Sequence, residues 1–390
     1  MLDVNNPVRR VARSALHALE DAFAIPADKL GAGTWIPGAP YDPEDPGKAR
    51  PALEEVGWKR TAPIGMSGVC RLSGARVRML RPRFPDNADP RARLAVVFVA
   101  PFRRLDYPYG PRALPRMLRG GLLSRLKPSR PTRHLSGRVA LLGNHVKGPN
   151  NYYHFWADTM GDLAILRHLL PLDGQPDYLL VSHADLPWQL EILDMCGVDR
   201  SRVIRFTDYD HLAVDELLVP LRDKGGYITP PWLARGIRQV AGYRPGDVTP
   251  TRRVYLSRAD ASWRPVSNEE EVRALLRCHG FEIWTASELT VAEQQWLFEE
   301  AAVVVAPHGG GLTNLVWCQE GARAVELLPE EHRMPCFMDI ANQRGLDYEV
   351  ILCPPESPSQ PGSTADIRVP IEALGKCLQE LPANQGARPQ

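Results

Sequence analysis

The sequence predicts an α/β fold of two Rossmann-like, doubly wound domains facing a central cleft. Three observations predict it. The 390 residues exceed one ordinary domain and suit two, each large enough to bury its own core. Strand-like apolar runs alternate with stretches of helical period from residue 138 to 220 and again from 253 to 352, the pattern of parallel sheets with crossover helices. Between the two series, residues 221–250 are punctuated by Gly and Pro, a composition shift that marks a linker. The expected division is an N-terminal domain over residues 1–225, a linker over 226–250 and a C-terminal domain over 251–390.

Residues 8–23 place Val8, Val11, Ala15, Leu19 and Phe23 at helical spacing, with Arg9, Arg10 and Arg13 off that stripe, so an amphipathic N-terminal helix is expected. Residues 31–51 and 81–90 are rich in Pro, Gly and Asp and read as loop, whereas 93–100 reads as a buried strand. Residues 112–133 interleave Leu114, Leu118, Leu122 and Leu126 with Arg112, Arg116, Arg119, Arg125 and Lys127. Such a segment either packs through its leucines as a solvated basic loop or makes peripheral contact with an anionic membrane. Gly120-Gly121, which interrupts any helix, favours the loop. Strands are expected next at 138–142, 178–182, 203–206 and 216–220, with helices at 151–170 and 187–196. After a short helical segment near 232–240, strands follow at 253–257, 281–284, 302–306, 322–327 and 348–352, and helices at 268–279, 291–300, 312–317 and 335–343.

Composition excludes several classes. Apolar residues at 44% and charged residues at 24% describe a folded globular chain. A net charge of +1 supplies no field to recruit nucleic acid, so any anion site must be built locally. Only 7 of the 47 basic residues are lysine; the arginine excess suits diphosphate recognition and is equally the mark of a GC-rich genome. The seven cysteines are scattered, without paired spacing for zinc or redox chemistry, which fits a reducing cytoplasm. No apolar stretch approaches the roughly 20 residues of a membrane span, and the N-terminus lacks the apolar core of a signal peptide. A cytoplasmic location is expected, with 112–133 as the element that would meet the inner face of the membrane.

The apolar run Val303-Val304-Val305-Ala306 leads through Pro307 into His308-Gly309-Gly310-Gly311-Leu312-Thr313-Asn314. A strand, a glycine turn and a helix N-terminus make an anion site, because glycine lets the backbone approach phosphate closely while unpaired N–H groups and the helix dipole stabilise negative charge. A glycine triplet alone is more often only a turn. Here Ser257-Arg258, at the end of the first strand of the same domain, and Arg264 on the following loop add two guanidinium groups able to balance a diphosphate. Surface pairing of those arginines with Glu269 to Glu271 is the competing reading. Ser267 and Glu270 have the spacing of a capping box, and Glu326, at a strand end, can accept hydrogen bonds from ribose hydroxyls.

Ser257-Arg258, Arg264, Asn268-Glu269, Gly280-Phe281, Gln294 with Leu297-Phe298, His308-Gly309 with Gly311-Leu312-Thr313-Asn314, and Glu326 together resemble the signature run of glycosyltransferase family 61 over roughly 70 residues. The family usually has alanine where Gly310 stands. The resemblance implies the twin-Rossmann GT-B fold, an inverting reaction, and a nucleotide diphosphate sugar, often UDP-linked, as donor substrate in the C-terminal domain with no further cofactor. It also implies a glycan or lipid-linked glycan acceptor, and for a bacterial member a role in capsule or exopolysaccharide synthesis.

The helix expected from Asn151 aligns Asn151, His154, Asp158 and Asp162 on one stripe and Tyr152, Phe155, Thr159, Leu163 and Leu166 on another. It is similar to the Asn-Tyr-x-His-x-x-x-(Asp/Glu) element of the same family. An inverting transfer needs a base for the acceptor hydroxyl; Asp158 is the first candidate and His154 the second, since an i, i+4 carboxylate can instead orient an imidazole. Asp208-Tyr209-Asp210 has the form of a divalent-metal motif, but it stands apart from the glycine and arginine elements and reads as a polar turn, so no metal requirement is expected. Two rivals remain at this level: a nucleotide-sugar isomerase of the 2-epimerase type, which would act on the donor without an acceptor, and a non-catalytic nucleotide- or glycan-binding protein.

Overall fold

The computed structural model describes residues 33–37, 68–80, 94–99, 103–105, 133–143, 150–182, 185–221, 229–261, 263–357 and 364–381. The expected N-terminal helix at 8–23 and the basic segment 112–132 lie outside the described residues.

Two sheets carry the fold. The second is five-stranded and wholly parallel: β10 (Arg252–Ser257), β11 (Glu282–Thr285), β12 (Ala301–Pro307), β13 (Arg323–Pro329) and β14 (Asp347–Cys353) stand in the order β11-β10-β12-β13-β14. Helices α4 (Glu269–Cys278) and α7 (Ile371–Gln379) bury Val272, Leu276, Leu374 and Leu378 on one face. The other face is covered by α5 (Val291–Glu299) and α6 (Cys336–Gln343), through Val291, Phe298, Phe337 and Ile340. This is the doubly wound arrangement expected of residues 251–390, and its near-continuous apolar strands follow from burial on both faces.

The first sheet, of nine strands, departs from a doubly wound pattern. β6 (Arg133–Leu142), β7 (Tyr178–Val181), β8 (Val203–Arg205) and β9 (His211–Leu221) form a parallel half in the order β9-β6-β7-β8. Along the free side of β9 run β2 (Gly68–Ser73) and β3 (Arg76–Leu80), both antiparallel to it. They are two halves of one bent path, broken at Gly74, whose φ of 61° suits glycine. β1 (Gly33–Pro37) pairs with β2 within the stretch expected as loop, and β4 (Leu94–Val99) and β5 (Arg103–Leu105) extend the sheet beyond β3. β4 falls where a strand was expected at 93–100, whereas β2 and β3 escaped the sequence reading because their pairing partner, β9, lies well over a hundred residues downstream. Strand alternation divides this sheet's apolar residues: Leu72, Val139, Leu141 and Leu217 face one core, while Val69, Ala140, Leu142 and Leu218 face another.

That second core is shared with the other sheet. Helix α1 (residues 152–169), α2 (Pro187–Met195) and α3 (Leu233–Val240) all bury residues in it, alongside α5 and α6. Trp156 of α1 packs edge-on to Trp317 at a centroid distance of 5.5 Å. A polar clamp adds to this: both carboxylate oxygens of Glu191 on α2 accept the first backbone N–H groups of α5, from Val291 at 2.9 Å and Ala292 at 3.0 Å. Thr290 caps the same helix in a capping box with Glu293. A carboxylate on unpaired N–H groups at the positive end of a helix dipole is stabilising. Glu191→Ala should therefore cost about 1–2 kcal/mol, read as a fall of a few degrees in Tm by calorimetry with the transition still cooperative.

Candidate functional site

In the parallel sheet the chain leaves β10 for the edge strand β11 and returns to β12 on the other side of β10, so a crevice opens at the carboxyl ends of β10 and β12. Ser257-Arg258 leaves β10 there and His308-Gly309 leaves β12. The three glycines serve close approach, since none of them lies in the left-handed region and Gly309, at φ 170°, is extended. A Cβ on Gly309 would overlap Nη1 of Arg258, one on Gly311 would lie 2.5 Å from Cδ2 of Leu256, and one on Gly310 would lie 3.3 Å from Cβ of Tyr152. The last distance is tight but not prohibitive. The segment that follows, Gly310–Trp317, is a 3-10 helix where an ordinary helix was expected, and no side chain caps its start. Its tighter winding turns Leu312 and Thr313 wholly into the core.

Burial, reinforced by Arg264, pulls the Arg258 guanidinium down to about 10, against a smaller opposing effect of Asp260. Burial likewise lowers Arg264, partly offset by Cys336 and Glu326. One Nη2 bond from Arg258, 2.9 Å to the Trp263 carbonyl, fixes its plane, while its buried Nε has no partner among the described residues. Arg264 takes φ 56°, a left-handed backbone that a non-glycine residue adopts at a cost. Two neighbouring, half-buried guanidinium groups repel one another, and each lowers the other's preference for its charge. The competing expectation, that Glu269 to Glu271 pair with these arginines, fails for Glu269: its oxygens accept Ser257 Oγ at 2.5 Å and Tyr255 Oη at 2.8 Å. Ser257 thereby holds α4 against β10. Ser267 donates to Glu356 instead of capping α4, so the capping box with Glu270 is absent.

Other predicted donor residues prove to be supports. Asn314 is fully buried; its Oδ1 accepts Tyr152 Oη at 3.0 Å and Trp317 Nε1 at 3.2 Å, and its Nδ2 donates to Gln294 at 2.8 Å. Glu326, also fully buried, uses one oxygen on His308 Nδ1 at 2.5 Å and the other on the Tyr348 hydroxyl.

Across the crevice stands the start of α1. Asn151 caps it, its Oδ1 accepting the His154 N–H at 3.1 Å. From Phe155 to Met160 the helix widens into a π segment, a distortion that shifts the side-chain register there. His154 Nδ1 lies 2.7 Å from Asp158 Oδ2, and the carboxylate is almost completely buried beneath an imidazole that retains 15% exposure. The expected polar stripe thus points inward: Asp162 is buried as well, accepting the Gly143 N–H at 2.9 Å at the end of β6. An aromatic path joins this dyad to the crevice, with ring centroids 5.2 Å apart for His154 and Tyr153, 5.7 Å for Tyr153 and Phe337, and 5.1 Å for Phe337 and His308. Tyr153 Oη bonds Thr229 Oγ1 at 2.8 Å, which donates to the Cys336 carbonyl at 3.1 Å. Tyr153, Thr229, Phe337 and Tyr348 were not singled out from the sequence. Each is an ordinary core-type residue there, and only its neighbours in space give it a place.

Asp208 is engaged by Arg205, through Nε at 2.8 Å and the Arg205 N–H at 2.9 Å, as a polar turn requires. A separate cavity of about 500 Å³, lined by Leu163, Arg167, Leu179 and Val198, includes neither the His154–Asp158 pair nor the residues of the crevice.

Residues 152–325 match the family model described as glycosyltransferase 61. The match begins at α1 and ends within β13, so it contains both the His154–Asp158 dyad and the glycine segment. Over 91 residues the chain is also 31% identical to the beta-1,2-xylosyltransferase RCN11 of Oryza sativa subsp. japonica, an overlap of 23% of this chain and 16% of that protein. The chain thus aligns with less than a fifth of that relative's length.

Because the obstacle at Gly309 is the far end of a flexible side chain, Gly309→Ala should fold with a Tm near wild type while Arg258 is pushed aside. Its affinity for inorganic diphosphate, measured by calorimetry, should fall about tenfold or more, the value of a charge-assisted hydrogen bond. Gly310→Ala should change it by less than about threefold, given its looser contact.

Proposed function

We propose that this chain is an inverting glycosyltransferase that moves a sugar from a nucleotide diphosphate donor to a glycan or lipid-linked glycan acceptor. The observation that carries the reading is the juxtaposition of two unlike halves in one site. A crevice holds the two guanidinium groups of Arg258 and Arg264 beside Gly309, and an imidazole backed by a buried carboxylate stands on the facing helix. The glycosyltransferase 61 match over residues 152–325 and the sugar transfer in the name of the rice relative support the same reading.

The first sheet and α1 serve as the acceptor domain, residues 1–225, and the parallel sheet as the donor domain, residues 251–390, in a GT-B arrangement. Arg258 and Arg264 bind the diphosphate, UDP being the proposed nucleotide, and His154 acts as base. Its partial exposure favours it over Asp158, which is sealed beneath it and holds Nδ1. Nε2 takes the proton from the acceptor hydroxyl, whose oxygen attacks the anomeric carbon. The bond to the diphosphate breaks, and its electron pair stays on a phosphate oxygen facing the two guanidinium groups. With these cations against the leaving group, we propose that the transfer needs no metal. Surface polysaccharide synthesis at the cytoplasmic side of a membrane, contacted through residues 112–133, is the proposed setting.

Thermal denaturation against a panel of UDP, GDP, dTDP and CMP sugars tests the central claim. A cognate donor at 100 times its Kd should add about 2.7 kcal/mol of stability, and the absence of any response would refute donor binding. His154→Ala and Asp158→Asn should lower kcat by about 10²- to 10⁴-fold with donor affinity retained; full turnover in either variant would remove that residue from the chemistry. Transfer should survive EDTA, and its loss there would overturn metal independence. Sugar product released from donor alone, with no acceptor present, would favour an isomerase instead.

A further inference from the structure

Resting on the function proposed above, we infer that Tyr348 and Glu326 are positioning residues that present Nε2 of His308 to the leaving diphosphate as a hydrogen-bond donor. Three strands contribute in sequence across the parallel sheet. Tyr348 on β14 donates its hydroxyl to Glu326 on β13, and Glu326 holds Nδ1 of His308 at the end of β12. His308 is anchored further by its backbone N–H, which donates to the Leu327 carbonyl at 3.0 Å, and its ring is wedged between His332 and Phe337 at centroid distances of 5.4 and 5.1 Å.

The ring is thus held by backbone, carboxylate and neighbouring rings, yet Nε2 has no hydrogen-bond partner among the described residues. With Nδ1 turned to the buried carboxylate, Nε2 is the ring nitrogen left for a ligand, and it donates to a phosphate oxygen as part of the doubly protonated imidazolium. The next residue in the chain is Gly309, against which Arg258 lies, and Arg264 is close enough to Glu326 to feel its charge. All three cationic or potentially cationic groups therefore surround the loop after β12, where the diphosphate is proposed to bind. As the glycosidic bond breaks, its electron pair moves to the bridging phosphate oxygen, and the Nε2–H bond to the diphosphate strengthens as that charge grows. No proton need leave His308, since the proton released by the acceptor goes to His154. Glu326 and Tyr348 touch neither substrate; they act through the imidazole.

The test compares UDP with UMP by titration calorimetry on wild type, Glu326→Gln, Tyr348→Phe and His308→Ala, with donor KM and kcat measured in parallel. Expected is a loss of UDP affinity of about tenfold or more in Glu326→Gln and His308→Ala, and about threefold in Tyr348→Phe. UMP affinity should stay within twofold of wild type in each, and kcat should fall more than donor KM rises. An unchanged ratio of UDP to UMP affinity in Glu326→Gln, or equal losses for both nucleotides, would overturn the inference and reduce the relay to a structural tie. If Glu326→Gln does not fold, Tyr348→Phe and His308→Ala decide by the same ratio. Wild-type protein that bound neither UDP nor any nucleotide sugar would instead refute the parent function, and this inference with it.

Discussion

A single buried amide, Asn314, is the junction on which the site depends. It receives the Tyr152 hydroxyl from α1, receives the Trp317 indole from its own 3-10 segment, and donates to Gln294 on α5. Gln294 is itself held by two backbone carbonyls, those of Ala286 and Leu289, so the amide is oriented at both ends. Burial makes each of these bonds hard to forgo, because no water replaces a lost partner. The helix carrying His154 is therefore set against the glycine segment by a directional polar contact, while Trp156 on Trp317 supplies the apolar share. Without that register, the base and the guanidinium groups would belong to two unrelated surfaces.

The crevice brings two guanidinium groups together. Arg258 and Arg264 lie half-buried near one another, one held flat by a backbone carbonyl and the other on a left-handed backbone. Like charge and backbone strain both cost stability there. The glycines belong to the same economy of space: Gly309 and Gly311 give room to Arg258 and Leu256, with backbone angles any residue could adopt.

Two imidazoles, His154 and His308, each have Nδ1 held by a buried carboxylate, one on each side of the site. The resemblance in construction hides a difference in origin. His154 and Asp158 are four residues apart on one helix, whereas His308, Glu326 and Tyr348 come from three adjacent parallel strands. A helical repeat makes the first pairing visible in the sequence; the second exists only once the strands are in register.

By itself the sequence determined the parallel sheet of residues 253–352 and the pairing of His154 with Asp158 on α1, because each rests on local period or short spacing. The strand order places the ends of β10 and β12, with Arg258 and His308, side by side. Tertiary structure alone decided which polar groups are committed to partners within the protein. Glu326, Ser257 and Asn314 are polar residues beside glycines in the sequence, but burial and neighbouring donors commit them to His308, Glu269 and Tyr152 respectively. It also decided the antiparallel wing on β9 and the exposure that sets His154 above Asp158. Local sequence encodes periodicity and turn chemistry, whereas partner choice and solvent access are properties of residues far apart in the chain brought into contact by the shared core.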